Sequence, residues 1–365
     1  MRLSGEYIFR NQQIISEEDR RLTISFHPPF CLILRVARRA ECVSLGVPSG
    51  RKGRKLNNLT LFAGCVAIWS TTWFAITFQL GSVAAEVSVA WRFLLAGLLV
   101  AGWCRLRGVQ LRLRAADHGA LAILGLTMYS AAYICVYRAE EHLASGLVAV
   151  GFSAAPLLAM FGMRLFFGQP LTVRMAAGSL FGIAGIVLVF WPEFARLSQS
   201  NGTAQGAILT LLAVLGSVFG GLLAHRNHQR GLHGVAAMAW SMGYGGLFAL
   251  LISLALGRQI AIGTTPAYLL SLAYLAFVGT VAAFAAWLTL LGRIGPARAS
   301  YVGVMVPVVA LLISTAFENL AWHLLMIAGM LVSIAGNVLV LGDPRRQAAG
   351  APAAPELQTK TPVGN

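Results

Sequence analysis

The chain has 365 residues, 57% of them hydrophobic and only 11% charged, with a mean hydropathy of +0.72. A soluble domain carries about 25% charged residues, so this composition excludes a protein whose main solvent is water. The net charge of +15 lies between apolar runs rather than on one basic face, which is how the positive-inside rule places Lys and Arg, and no nucleic-acid partner is expected.

Residues 1–58 differ from the rest, with eleven Lys/Arg and five Asp/Glu. They hold neither the apolar core nor the cleavage site of a secretory signal. They read as a poorly ordered cytoplasmic arm or an overextended start to the reading frame. Ten apolar runs follow, at about 59–80, 84–104, 117–137, 143–165, 173–191, 205–225, 234–256, 266–291, 299–317 and 322–342, each near the length that crosses a roughly 30 Å hydrocarbon layer as a helix. They are too long and too uniformly apolar for barrel strands, which alternate. The tail over 343–365 is rich in Pro, Ala and Gln and reads as disordered. The five cysteines form no CxxC pair. Neither a disulfide framework nor a metal site follows from them, and the three in apolar runs read as packing residues.

Loop charges test the count of runs. With the N-terminus in the cytoplasm, the cytoplasmic flanks carry sixteen Lys/Arg, from Arg51 to Arg346, and the opposite loops carry three, Arg138, Arg196 and Arg258. One missed span would scramble that split, so ten spans with both termini cytoplasmic are expected. The chain is also one unit written twice. A shift of 151 places Pro156 on Pro307, Gly178 on Gly329 and Gly185 on Gly336, and GSLFGIAGIVLV (178–189) matches GMLVSIAGNVLV (329–340) at eight of twelve positions. Ala90-Trp91 pairs with Ala239-Trp240 at a slightly shorter shift. Five spans per copy is odd, so the second copy enters the membrane inverted. The expected architecture is an all-α integral membrane protein: a first five-helix repeat over 59–191 and a second over 205–342. Inverted repeats recur in carriers whose substrate site lies near the midplane between the copies, while a duplicated scaffold with no pathway is the plainer alternative.

Few ionisable groups stand inside the runs. Arg92 is the exception, costing about 2.5–3.5 kcal/mol on insertion scales. It either faces a cavity or gate, or locks its helix to a neighbour's carbonyls. Glu86 lies six residues earlier, about 9 Å along the helix, and is the one carboxylate placed to take a proton near a pathway. A nearby arginine would hold it ionised, making it a poor relay, so movement down the substrate gradient or exchange is expected rather than tight proton coupling. In the first run Trp69, Ser70, Thr71 and Trp73 form a cluster of rings and hydroxyls. Tyr129, Tyr133 and Tyr137 follow at four-residue steps, and Phe284 and Trp287 lie in the eighth run. Such stripes either line a pathway or pack, with Tyr137 shallow enough for an interfacial belt. Pro156 and Pro307, with Ser153 and Tyr301 just before them, mark matched kinks, either hinges or static bends. Gly178–Gly182 and Gly216–Gly220 suit close helix contact.

Enzyme signatures are weak. Gly151-Phe152-Ser153-Ala154 is only loosely similar to an intramembrane serine nucleophile, and no histidine lies deep enough to act as its base. No P-loop, HExxH or GxGxxG occurs. A membrane-embedded enzyme acting on a lipid or peptide and a non-transporting scaffold are the rival readings.

WSTTWFAI (69–76), EVSVAWRFLLAGLL (86–99), PLLAMFGMRLFFGQPLT (156–172) and GSLFGIAGIVLV (178–189), weakly repeated from about 206 to 341, resemble the EamA-type domain of the drug/metabolite transporter superfamily. The resemblance implies a ten-span inner-membrane carrier that moves an amino acid or related small metabolite outward by alternating access. The partners it implies are a small-molecule substrate and the lipid bilayer, with the chain a monomer or weak homodimer and no cofactor. Two departures stand out: Gln169 replaces the glutamate that often ends span four, and Ser241 stands where the first copy has Arg92.

Overall fold

The computed structural model describes residues 57–195, 201–232, 234–320 and 322–341. The expected N-terminal arm and C-terminal tail therefore lie outside the described residues, apart from Asn57 and Asn58. Among the described residues the fold is all helix. Eight helices are long and apolar enough to cross a membrane. They are α1 (Asn58–Thr77), α2 (Ala85–Leu106), α3 (Ala115–Glu140), α4 (Ser145–Phe167), α5 (Val173–Ala195), α6 (Asn201–Gln229), α7 (Val235–Ala255) and α8 (Pro266–Gly295). Two shorter apolar helices, α9 (Tyr301–Phe317) and α10 (Leu324–Leu341), complete the set. At about 1.5 Å per residue, α9 spans about 26 Å, slightly less than the hydrocarbon layer.

Large apolar side chains cover the exterior as well as the core. Leu98, Leu165 and Leu180 are about two-thirds to three-quarters exposed, whereas Ser70, Gln79, Ser88, Ser130 and Arg92 are buried. Apolar side chains outward and polar ones inward is the partition that a hydrocarbon solvent selects.

Helix packing follows the two copies. α5 packs on α10 and α2 on α7, each against its sequence mate. α1 packs on α8 and α9, and α6 packs on α3 and α4. Small residues permit these contacts. A Cβ on Gly185 would meet the Gly329 carbonyl at 2.5 Å, and one on Gly336 would meet the Gly178 carbonyl at 2.5 Å and overlap the Gly182 nitrogen. A Cβ on Gly97 of α2 would reach the Gly243 nitrogen at 2.9 Å, and one on Gly246 of α7 would reach the Leu94 nitrogen at 2.6 Å. Without side chains in the way, the backbones approach until dispersion, the main attraction available in lipid, is gained along their length. Gly182 fits over Leu157 and Gly220 against Met128, so the expected close contacts at the glycine pairs are present.

Three features depart from plain helices. α3 contains a π-helical stretch over Gly125–Ala131 and α8 one over Tyr274–Ala282, at matched positions in the two copies. α4 narrows to a 3-10 turn at Phe152–Ala154, directly before Pro156. α9, in contrast, runs unbroken through Pro307, so the matched prolines do not make matched breaks. Gly295, with φ 78°, bends the chain at the end of α8.

Candidate functional site

The WSTTWF segment of α1 touches three helices at once. The Ser70 hydroxyl donates to the Val306 carbonyl of α9 at 3.0 Å, directly before Pro307. The Thr71 and Tyr274 hydroxyls lie 2.6 Å apart, joining α1 to the first residue of the π stretch in α8. The Trp69 ring meets Phe284 at 5.8 Å and Trp287 at 6.3 Å, and Trp73 meets Phe152 of α4 edge-on at 5.0 Å. Trp69, Trp73, Phe152, Phe284 and Trp287 are all partly exposed. Five rings from α1, α4 and α8 therefore meet along the Trp69–Trp73 side of α1, while Ser70 and Thr71 leave α1 in other directions, to α9 and to Tyr274 of α8. Phe152 and Tyr274 join the expected residues here. Tyr274 had no sequence signal, because the π stretch that aims it leaves no compositional trace.

A second cluster lies between α2 and α3. Arg92 is buried, with its guanidinium 4.7 Å from the Tyr133 ring centroid and 5.4 Å from that of Phe93. Its charge also acts on Tyr137 and Glu140. Its Nε and Nη1 have no hydrogen-bond partner, so those atoms do not fasten α2 to a neighbour's carbonyl; a cation against aromatic faces takes the place of that lock. Tyr137 is fully buried and donates to Gln79 Oε1 at 3.1 Å. This corrects the belt expectation for Tyr137: four residues beyond Tyr133, its ring points into the bundle rather than toward headgroups. Glu140, one further turn along the same face, is buried with both oxygens unpartnered. As one of a charged pair at a span end, it gave no sequence sign of burial.

Glu86 is buried at the start of α2, but its partner is not Arg92. Arg138 at the end of α3 binds it through two nitrogens at 2.7 to 3.1 Å, and the Arg258 Nε lies 4.0 Å away. Arg138 also binds Glu141 at 3.1 Å. Nearby, Glu318 at the end of α9 accepts from the Ser145 backbone at 3.2 Å and hydroxyl at 2.7 Å, a carboxylate at the N-terminus of α4 where the helix dipole favours it. These groups gather at the end of the bundle where α1 finishes and α2 begins. Two expected residues stand apart. Ser153 takes part through its carbonyl, which accepts from Asn337 at 3.2 Å. Tyr301 opens α9 half-buried, and no described bond or ring contact joins it to the others.

The two matched tryptophans bond in matched ways. Trp91 of α2 donates to the Ala261 carbonyl between α7 and α8 at 3.0 Å, and Trp240 of α7 donates to the Leu111 carbonyl between α2 and α3 at 2.9 Å. Each copy thus holds the other's loop.

A helical bundle with an apolar exterior, an apolar core and a few buried polar groups, Arg92 among them, defines a multi-pass membrane protein. The sequence pattern of the EamA-like transporter family matches residues 57–191 and again 204–342. The chain belongs to that family, within the drug/metabolite transporter superfamily. It is similar to the uncharacterized inner membrane transporter YedA of Escherichia coli (strain K12), 29% identical over 299 residues that cover 78% of this chain and 94% of YedA. It is also similar to Protein PecM of Dickeya dadantii (strain 3937), 26% identical over 264 residues, 72% of this chain and 84% of PecM. A solved chain described only as "Crystal structure of protein" shares 16% identity and the fold, with a TM-score of 0.56 over 78% of this chain and 96% of its own.

Proposed function

We propose that the protein is an inner-membrane secondary carrier that moves a small organic metabolite, an amino acid or related compound, outward by alternating access. In this reading its ten helices form two inverted five-helix repeats, with Trp69, Ser70, Thr71, Trp73, Arg92 and Trp287 along the substrate pathway. The observation that carries it is the exchange of contacts between copies: α1 on α8 and α9, α6 on α3 and α4, and the two tryptophan bonds to opposite loops. Such an arrangement has two equivalent halves that can trade conformations about a site between them. The experiment is flux in proteoliposomes across a panel of labelled amino acids and related metabolites. Solute crossing with no chemical change is the expected result; a modified product, or no flux of any panel member, would sink the carrier reading.

Topology gives a second prediction. The sixteen-to-three charge split supports a topology with both termini in the cytoplasm. Reporters fused after Gly342 should be active only if their activity develops in the cytoplasm. A periplasm-specific signal would remove the ten-span arrangement.

Energy coupling gives a third. Glu86 is held by two nitrogens of Arg138 at the end of α3 rather than standing free beside a pathway, which supports facilitated movement or exchange. With substrate equal on both sides and an imposed pH gradient, no net accumulation is expected. Accumulation that a protonophore collapses and that disappears in Glu86→Gln would make Glu86 the coupling group instead.

A further inference from the structure

We infer that this structure is the cytoplasm-facing state of the carrier, closed on the outer side by a gate made of Gln79, Tyr137 and the Trp73–Phe152 ring pair. The inference rests on the carrier reading and its topology, and it comes from comparing each gate residue with its mate in the other copy.

The register is set by paired landmarks. Gln79 and Gln229 each stand two residues before a left-handed glycine, Gly81 with φ 76° and Gly231 with φ 79°. The shift of 151 that pairs Pro156 with Pro307 also pairs Tyr133 with Phe284, Tyr137 with Leu288 and Phe152 with Gly303.

Matched positions have opposite exposure. Gln79 is fully buried and bonded to Tyr137, whereas Gln229 is exposed and bonds only His225 of its own helix at 3.1 Å. Tyr137 is 0% exposed, while Leu288 is 45% exposed. Leu288 lies one turn from Phe284, which contacts Trp69, just as Tyr137 lies one turn from Tyr133. Phe152 closes on Trp73 at 5.0 Å, but its mate is the exposed Gly303, which has no ring to offer.

Helix packing shows the same asymmetry. α1 packs on the start of α4, and α2 packs on the second half of α3. Among the described residues the mates of these contacts, α6 on α9 and α7 on α8, have no packing of comparable extent. Each missing contact falls at the end that the charge split assigns to the cytoplasm. The closed end is also not a sealed apolar plug. It encloses unpartnered Gln79 Nε2, both Glu140 oxygens, and Arg92 Nε and Nη1. Burying unpaired polar groups opposes closure, so the gate is held by a modest margin and can reopen. In the alternate state, α6 and α8 would draw together around Gln229 and Leu288 as α1 and α3 now do around Gln79 and Tyr137.

Cysteine accessibility tests this in the full-length chain with its five native cysteines replaced by serine or alanine. An impermeant maleimide is applied to inside-out and right-side-out vesicles. Leu288→Cys should label from the cytoplasmic side. Tyr133→Cys, one turn beneath the gate, should label slowly from the outer side, and adding Gln79→Ala should raise that outer rate about fivefold, the population shift that loss of one ordinary hydrogen bond gives. Leu288→Cys reacting only with a lipid-soluble reagent, or Tyr133→Cys reacting from outside at a rate indifferent to Gln79→Ala, would overturn the gate. These readouts need no substrate, so the two ideas fail separately. The expected labelling without solute flux leaves the gate and removes the carrier; flux without the labelling does the reverse.

Discussion

Gly336→Val should yield no monodisperse folded protein, or a protein whose thermal midpoint in detergent falls far below the parent's. The cause is local and geometric. The Cβ alone would stand 2.5 Å from the Gly178 carbonyl and overlap the Gly182 nitrogen, and valine adds two methyl groups beyond it. Both obstacles are backbone atoms of α5, so no rotamer change relieves them and the two helices must separate. Overpacking costs about 1–3 kcal/mol where side chains can yield. Here the lost dispersion along α5 and α10 adds to that cost, because in lipid no hydrophobic drive holds the helices together. Gly221→Ala is the control. Its Cβ meets nothing within 4 Å, and alanine is the better helix former by about 0.8–1.0 kcal/mol, so stability should hold or rise. If Gly336→Val unfolds at the parent's temperature, the α5–α10 contact is not the tight seam described.

That seam was legible in the sequence because it is written twice. The repeat of Gly178 and Gly185 as Gly329 and Gly336 required only identity at a fixed shift, and glycine at such a place has few uses besides close approach. Arg92 was legible for the opposite reason: it violates its surroundings, and a charge in an apolar run demands an account. What stayed hidden depends on distance in the chain or on backbone geometry. The bond from Tyr137 to Gln79 crosses 58 residues, and nothing local to Tyr137 separates a buried tyrosine from one at the headgroups. Glu86 and Arg92 share a helix, which invited their pairing. The actual partner, Arg138, comes from α3, and helix-to-helix rotation decides such a choice. Glu140 stands beside Glu141 in sequence, yet one is buried and the other accessible, a difference set by one step of 100° around the helix. The π stretches in α3 and α8 are invisible in composition, although they aim Tyr274 at Thr71.

Arg92→Ala should lower transport at least about tenfold, while Arg258→Ala changes it less than about twofold. The contrast comes from setting. The Arg258 side chain is 46% exposed and reaches Glu86 only at 4.0 Å, and exposed ion pairs contribute about 0–1 kcal/mol. Glu86 also keeps its closer partner Arg138 when Arg258 is lost. Arg92 is 3% exposed and has no substitute in its cluster. Its guanidinium lies against Tyr133 at 4.7 Å, a contact worth about 2 kcal/mol when desolvated, and a tenfold effect needs only about 1.4 kcal/mol. Removing it leaves Glu140 without its nearby counter-charge and takes from the cluster a buried cation whose Nε and Nη1 have no hydrogen-bond partner. Arg92→Lys separates charge from shape. An ammonium keeps the charge but cannot stack as a plane or present a fork of donors, so transport should be intermediate. Arg92→Met fills similar volume without charge and should match the alanine variant. Each variant is compared at equal amounts of folded protein in the membrane, with the thermal midpoint recorded beside the flux. If Arg92→Met folds as the parent does and carries solute at the parent's rate, the buried cation is a packing feature and the pathway does not pass it.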